Sequence, residues 1–118
     1  MDLATFREYC LSLPHVTEEF PFGPETLVFK VGGKLFALTD VDNFESINVK
    51  CDPETAIDLR ERYVAVIPGW HMNKKHWNTL VLDGSLSQKF VFEWTKHSYD
   101  LVFNSLSNKV KAELEGLG

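Results

Sequence analysis

The chain lacks most of the devices that announce a function. Its 118 residues include only two cysteines, Cys10 and Cys51, too few for a disulfide framework, so two free thiols in a reducing compartment are expected. Apolar runs are short, none near the length that spans a membrane, and Asp2, Arg7 and Glu8 interrupt the start where an apolar secretory segment would lie. The expected setting is the cytoplasm, without a membrane partner. No Walker-type or dinucleotide glycine pattern occurs, no Gly-x-Ser-x-Gly elbow, and neither Cys-x-x-Cys nor His-x-x-x-His. His71 and His76 lie five apart, which is neither one helical face nor one strand face. The residues therefore define no catalytic centre, metal site or cofactor site, and a non-enzymatic role is expected. A basic excess is missing too: the net charge is −5, a poor balance for a generic polyanion binder.

The deficit of positive charge is uneven. Residues 1–29 carry Arg7 against Asp2, Glu8, Glu18, Glu19 and Glu25, whereas residues 30–77 carry equal numbers of cations and carboxylates. A local basic face is compatible with that distribution. What the chain has in quantity is apolar and aromatic matter: 44% hydrophobic residues, with nine Phe, three Tyr and three Trp. That suffices for a filled core, and the length fits one domain over residues 1–118.

Local patterning predicts the elements. Leu3, Phe6, Cys10 and Leu13 recur at helical spacing, Asp2 can cap their helix, and Pro14 ends it. Residues 14–25 hold three prolines and a glycine and read as an irregular connection. Residues 26–39 read as a hairpin about Gly32-Gly33, whose register pairs Phe29 with Phe36 and Leu27 with Leu38 on one apolar face. Residues 46–50 alternate as a third strand. Asp52-Pro53 opens a helix with Ala56, Leu59 and Tyr63 inward. Cys51 lies just ahead of it, where the helix dipole favours a thiolate. Residues 63–67 and 78–82 read as strands four and five, and Asp83-Gly84 as a turn. Residues 86–97 read as a helix, followed by segments marked by Tyr99, Val102, Phe103 and Leu106, then Val110, Leu114 and Leu117. The expected fold is α+β, two-layer, with a five-stranded antiparallel sheet and the order α-β-β-β-α-β-β-α(α).

One stretch stands out, Pro68-Gly69-Trp70-His71-Met72-Asn73-Lys74-Lys75-His76-Trp77-Asn78. Spacing favours burial of its tryptophans, since aromatic residues usually bury. Cations, imidazoles and aromatic faces on one loop also suit an anionic, stackable partner. Three functions compete: a DNA-binding domain, a protein-interaction or chaperone-like module, and, ranked last, an enzyme using His71 and His76 with Glu18 or Glu19.

That stretch resembles the signature of the MmcQ/YjbR family. Phe20-Pro21-Phe22-Gly23, Val31-Gly32-Gly33-Lys34-Leu35-Phe36-Ala37, Asn48-Val49-Lys50-Cys51-Asp52-Pro53 and Ser98-Tyr99-Asp100-Leu101-Val102 follow the same family pattern in the same order. The resemblance implies a CyaY-like fold with a double-wing DNA-binding surface, the wings being the hairpins around 32–33 and 68–77. Double-stranded DNA is the partner it implies, with a protein partner as the alternative. On that expectation Lys30, Lys34, Lys50, Lys74 and Lys75 contact phosphates, His71, Asn73 and His76 hydrogen-bond, and Trp70 stacks.

Overall fold

A computed structural model describes residues 1–70 and 72–116. The elements are α1 (Leu3–Ser12), β1 (Val16–Glu19), β2 (Thr26–Val31), β3 (Lys34–Asp40), β4 (Ser46–Lys50), α2 (Pro53–Arg62), β5 (Val66–Pro68), β6 (Trp77–Val81), α3 (Gln88–Ser105) and α4 (Asn108–Gly116). The strands form one antiparallel sheet in the order β1-β2-β3-β4-β6-β5. Six strands, rather than the five expected, make up this α+β fold.

The additional strand is β1. The prolines expected to exclude regular structure flank it, at 14, 21 and 24, and none lies within it. His15, with φ 65°, turns the chain after Pro14, and Val16–Glu19 then pairs with β2 as an edge strand. Strand β5 begins three residues later than the sequence suggests. The Tyr63 N–H still donates to Leu59 O as the C-cap of α2, and Val66 N–H closes a turn onto Tyr63 O. The caps at Asp2 and Asp52 form as expected, accepting from Thr5 and Thr55. Leu117, assigned to the last helical turn, lies outside the described residues.

The hairpin register also departs from expectation. Val31 pairs with Lys34 and Lys30 with Leu35, but a bulge then puts Phe29 opposite Ala37 and Val28 opposite Leu38. The extra residue is Phe36. Consecutive Phe36 and Ala37 both bury completely in the core, so the bulge places two apolar side chains where strict alternation places one. Leu38 shifts to the opposite face.

Helix α3 runs unbroken through Ser98, where the sequence suggested a break. The Ser98 hydroxyl is used in tertiary structure: it donates to Phe36 O and accepts from Lys50 N–H at 2.8 Å. Ala37 pairs with Val49, so Phe36 and Lys50 are the next opposed pair. The bulge displaces that rung, and a helix hydroxyl bridges it.

The core lies between one face of the sheet and the helices, built from Phe6, Phe29, Phe36, Ile47, Val49, Leu80, Val91 and Val102. The face opposite carries Val28, Leu38, Asn48, Lys50, Trp77 and Thr79, by the period-two alternation of β2, β3, β4 and β6. At the hairpin turn, Gly32 has φ +58°, and a Cβ there would lie 2.6 Å from Leu106 Cδ1 and 3.1 Å from Val110 Cγ1. The turn is thus seated against the start of α4, and only glycine meets both demands.

Candidate nucleic-acid interface and the groove beside it

Strand directions sort the loops into two ends. β2, β4 and β5 run one way and β1, β3 and β6 the other, so the 32–33 turn, the end of β4 and the loop 69–76 share one end. Lys34, Lys50, Lys74 and Lys75 gather there, with Asp52 and Glu54 at the start of α2 beside them. The opposite end has loops 20–25, 41–45 and 82–87, which hold Glu25, Asp42, Glu45 and Asp83 and no lysine or arginine. Negative net charge therefore coexists with a basic end.

Lys34 and Lys75 are exposed, and Lys50 is half-buried opposite Trp77. At a strand spacing of about 4.8 Å, Lys34 on β3, Lys50 on β4 and the loop before β6 span about 10 Å. Lys74 is exposed, with Nζ 3.4 Å from Gly69 O, and Arg60 donates to its carbonyl. Lys30 is placed differently: its Nζ pairs with Glu19 at 2.9 Å. Asn73 spends its Oδ1 on the Lys75 N–H, fixing the turn that presents the lysines. His76 is half-buried, and its carbonyl accepts from Cys51 N–H. His71 lies outside the described residues.

Trp70 does not project from the tip of a wing. Its backbone N–H donates to Thr79 Oγ1 at 2.9 Å, and Thr79 donates in turn to Asn48 Oδ1. This chain folds the loop back over the helix-free face, with the indole two-thirds exposed. Gly69 permits the fold: a Cβ there would meet Trp77 Cβ at 2.7 Å. Trp77 is 9% exposed and belongs to the framework. Between this loop and loop 20–25 lies an open groove of about 620 Å³. Sequence reasoning missed it, although exposed Phe22 in a Pro/Gly-rich loop was its available signal.

The acidic residues, thiols and His97 that could support chemistry lie apart from this loop or are buried. Glu18 forms a two-point ion pair with Arg7, at 2.7 and 2.6 Å. β1 and β6 are separated by β2, β3 and β4, or about 19 Å of sheet, so Glu18 and Glu19 are not brought to His76. Burial raises Cys51 to about 11 despite its place before α2, and the nearby Asp52 carboxylate adds to that effect. Cys10 is raised by burial as well. Desolvation outweighs the helix dipole at Cys51, so both thiols are poor nucleophiles. Burial lowers the pKa of His97, whose Nε2 is 3.4 Å from Asp52 N. Among the described residues, no three His, Cys, Asp or Glu side chains cluster to hold a metal, and no helix is long and apolar enough to cross a membrane.

An antiparallel sheet with helices on one face, and with hairpin loops at a lysine-bearing end, defines a helix-backed sheet protein of the α+β class. The chain belongs to the YjbR family, whose model matches residues 11–101. It is 36% identical over 106 residues to the uncharacterized protein YbdF of Escherichia coli O157:H7, covering 89% of this chain and 87% of that one. It is 32% identical over 107 residues to the uncharacterized protein YjbR of Escherichia coli strain K12, covering 90% and 91%. The crystal structure of Deinococcus radiodurans protein DR2400, with a DUF419 domain, superposes with a TM-score of 0.90 at 38% identity, covering 97% of this chain and 88% of that one. None of these names is that of an enzyme.

Proposed function

We propose that this protein is a cytoplasmic, non-enzymatic DNA-binding protein that holds duplex phosphates at the basic end of its sheet. The observation that carries the reading is the unequal charge of the two loop ends: Lys34, Lys50, Lys74 and Lys75 outnumber Asp52 and Glu54 at one, and carboxylates alone occupy the loops of the other. The two hairpins act as the double wing, with the 32–33 turn held rigid and the 69–76 loop presenting adjacent lysines. Lys30 contributes less than the sequence suggested, because Glu19 already neutralises it. Orientation follows from repulsion, since a duplex seated on the basic end keeps its phosphates away from the acidic one. Contacts of this kind position a protein on DNA without reading bases.

The test is a duplex titration across salt concentrations. Each lysine that touches a phosphate releases about 0.9 of a counterion, so Lys74→Ala with Lys75→Ala flattens the plot of log affinity against log salt by up to about 1.8 units. Affinity falls equally on unrelated sequences, and stability barely changes because exposed lysines contribute little to folding. An unchanged slope in the folded double variant removes this loop from the contact. Failure of the wild type to bind duplex at low salt removes the proposal.

A further inference from the structure

The groove on the helix-free face has a chemistry opposite to that of the basic end. Its walls are the exposed rings of Phe22 and Trp70, 69% and 66% accessible, with Met72 beside them and Leu38 and Asn48 lining it from the sheet. Asp40 and Glu45 also line it, and no lysine, arginine or histidine is among the described residues that do. Its volume, about 620 Å³, lies within the range of small-molecule sites. Two large aromatic rings with most of their surface accessible beside a cavity offer apolar area that a ligand can cover.

Three features fix the class of ligand. First, neither Asp40 nor Glu45 takes part in an ion pair among the described residues. Asp40 Oδ1 accepts from the Asp42 and Asn43 N–H groups, which holds that carboxylate in place with its second oxygen still able to accept. Second, the ring faces of Trp and Phe attract cations through their quadrupoles. Third, the sheet side of the groove carries neutral polar groups, the hydroxyls of Thr26, Thr39 and Ser46 and the amide of Asn48. Because Trp70 N–H donates to Thr79 Oγ1, the Thr79 hydrogen goes to Asn48 Oδ1, which keeps a second lone pair, and Asn48 can offer a ligand an acceptor as well as its N–H donors. Carboxylates and aromatic faces, with Leu38 and the amides of Asn43 and Asn48 between them, suit a small organic cation with an aromatic or alkyl body. A phosphate-bearing nucleotide is disfavoured by the same carboxylates.

We infer that this groove binds a free organic amine, with the body between Phe22 and Trp70 and the ammonium toward Asp40 and Glu45. The site uses other side chains than the phosphate contact: none of the lysines lines it, although its Trp70 and Met72 wall belongs to the 69–76 loop that carries Lys74 and Lys75. The hydrogen bond from Trp70 to Thr79 ties its wall to the floor, so the site is largely formed before the ligand arrives.

Backbone and indole N–H resonances in the intact protein test it, followed during titration with phenethylammonium, phenethyl alcohol and phenylacetate, which share a body and differ in charge. The expected result is saturable shifts at Trp70 and Asn48 with the ammonium, weaker binding of the alcohol and weakest binding of the carboxylate. Asp40→Asn with Glu45→Gln lowers affinity for the ammonium about tenfold and leaves the alcohol unchanged. Trp70→Ala weakens both. Equal binding of ammonium and carboxylate overturns the assignment of charge. No shift at Trp70 or Asn48 at millimolar phenethylammonium overturns the site, while the duplex titration stands or falls separately.

Discussion

Replacing Trp77 with alanine lowers stability by about 3–5 kcal/mol, the range for emptying a large buried aromatic site. Trp77 opens β6 opposite Lys50 on the helix-free face and is 9% exposed. The loop 69–76 packs on it closely enough that Gly69 must lack a side chain, and Gly69 N–H donates to Trp77 O at 2.9 Å. Removing the indole leaves a cavity, while the Cβ and backbone oxygen against which Gly69 packs remain in alanine and keep those contacts to the loop. Chemical denaturation reads the loss as a lower midpoint at unchanged slope. A fully stable Trp77→Ala protein that no longer binds a ligand assigns the ring to the functional surface instead.

Ser98→Ala costs about 2–4 kcal/mol, more than most serine substitutions. Ser98 is fully buried in the middle of α3. Its hydroxyl serves the Phe36 carbonyl and the Lys50 N–H together. Alanine leaves a buried acceptor and a buried donor without a partner, each costing about 1–3 kcal/mol. Ser105→Ala is the control. Its hydroxyl bonds Val102 O within the same helix, and its loss changes stability by less than about 0.5 kcal/mol. Equal midpoints for the two variants would show that the bridge between the strands contributes nothing.

Ser98 also marks the limit of what the sequence discloses. Local rules were legible: the caps at Asp2 and Asp52, the stop at Pro14, the turn at Gly32-Gly33 and the alternation of β4 each depend on neighbours in the chain. Features decided by distant partners were not. Val16–Glu19 becomes a strand only because β2 offers an edge, and Phe36 bulges because the core accepts two apolar residues in succession. A serine in a helix pattern reads as a cap or interruption until β3 and β4 give its hydroxyl a tertiary use. The site divides in the same way. The lysine pair was visible as a run, whereas the unequal charge of the two ends requires strand directions. The groove draws on three separate stretches of the sequence, 22–26, 38–48 and 70–72, and Trp70, which resembles a core residue by type, is two-thirds exposed.

The seating of Gly32 against Leu106 and Val110 links the end of the chain to the basic end of the sheet. Helix α4 contains no fully buried residue, so it has less apolar area to lose on detaching than α1, α2 or α3. Local openings follow the least buried elements and need far less free energy than global unfolding. When α4 lifts away, the turn loses Val110 and keeps Leu106, the C-cap of α3, so the turn and Lys34 beside it are held by fewer contacts. Amide protons at Gly33 and Lys34 therefore exchange with solvent together with those of α4, faster than those of the central strands β3, β4 and β6. The first hairpin turn and the last helix meet at Gly32 and Val110, although more than seventy residues separate them in the sequence.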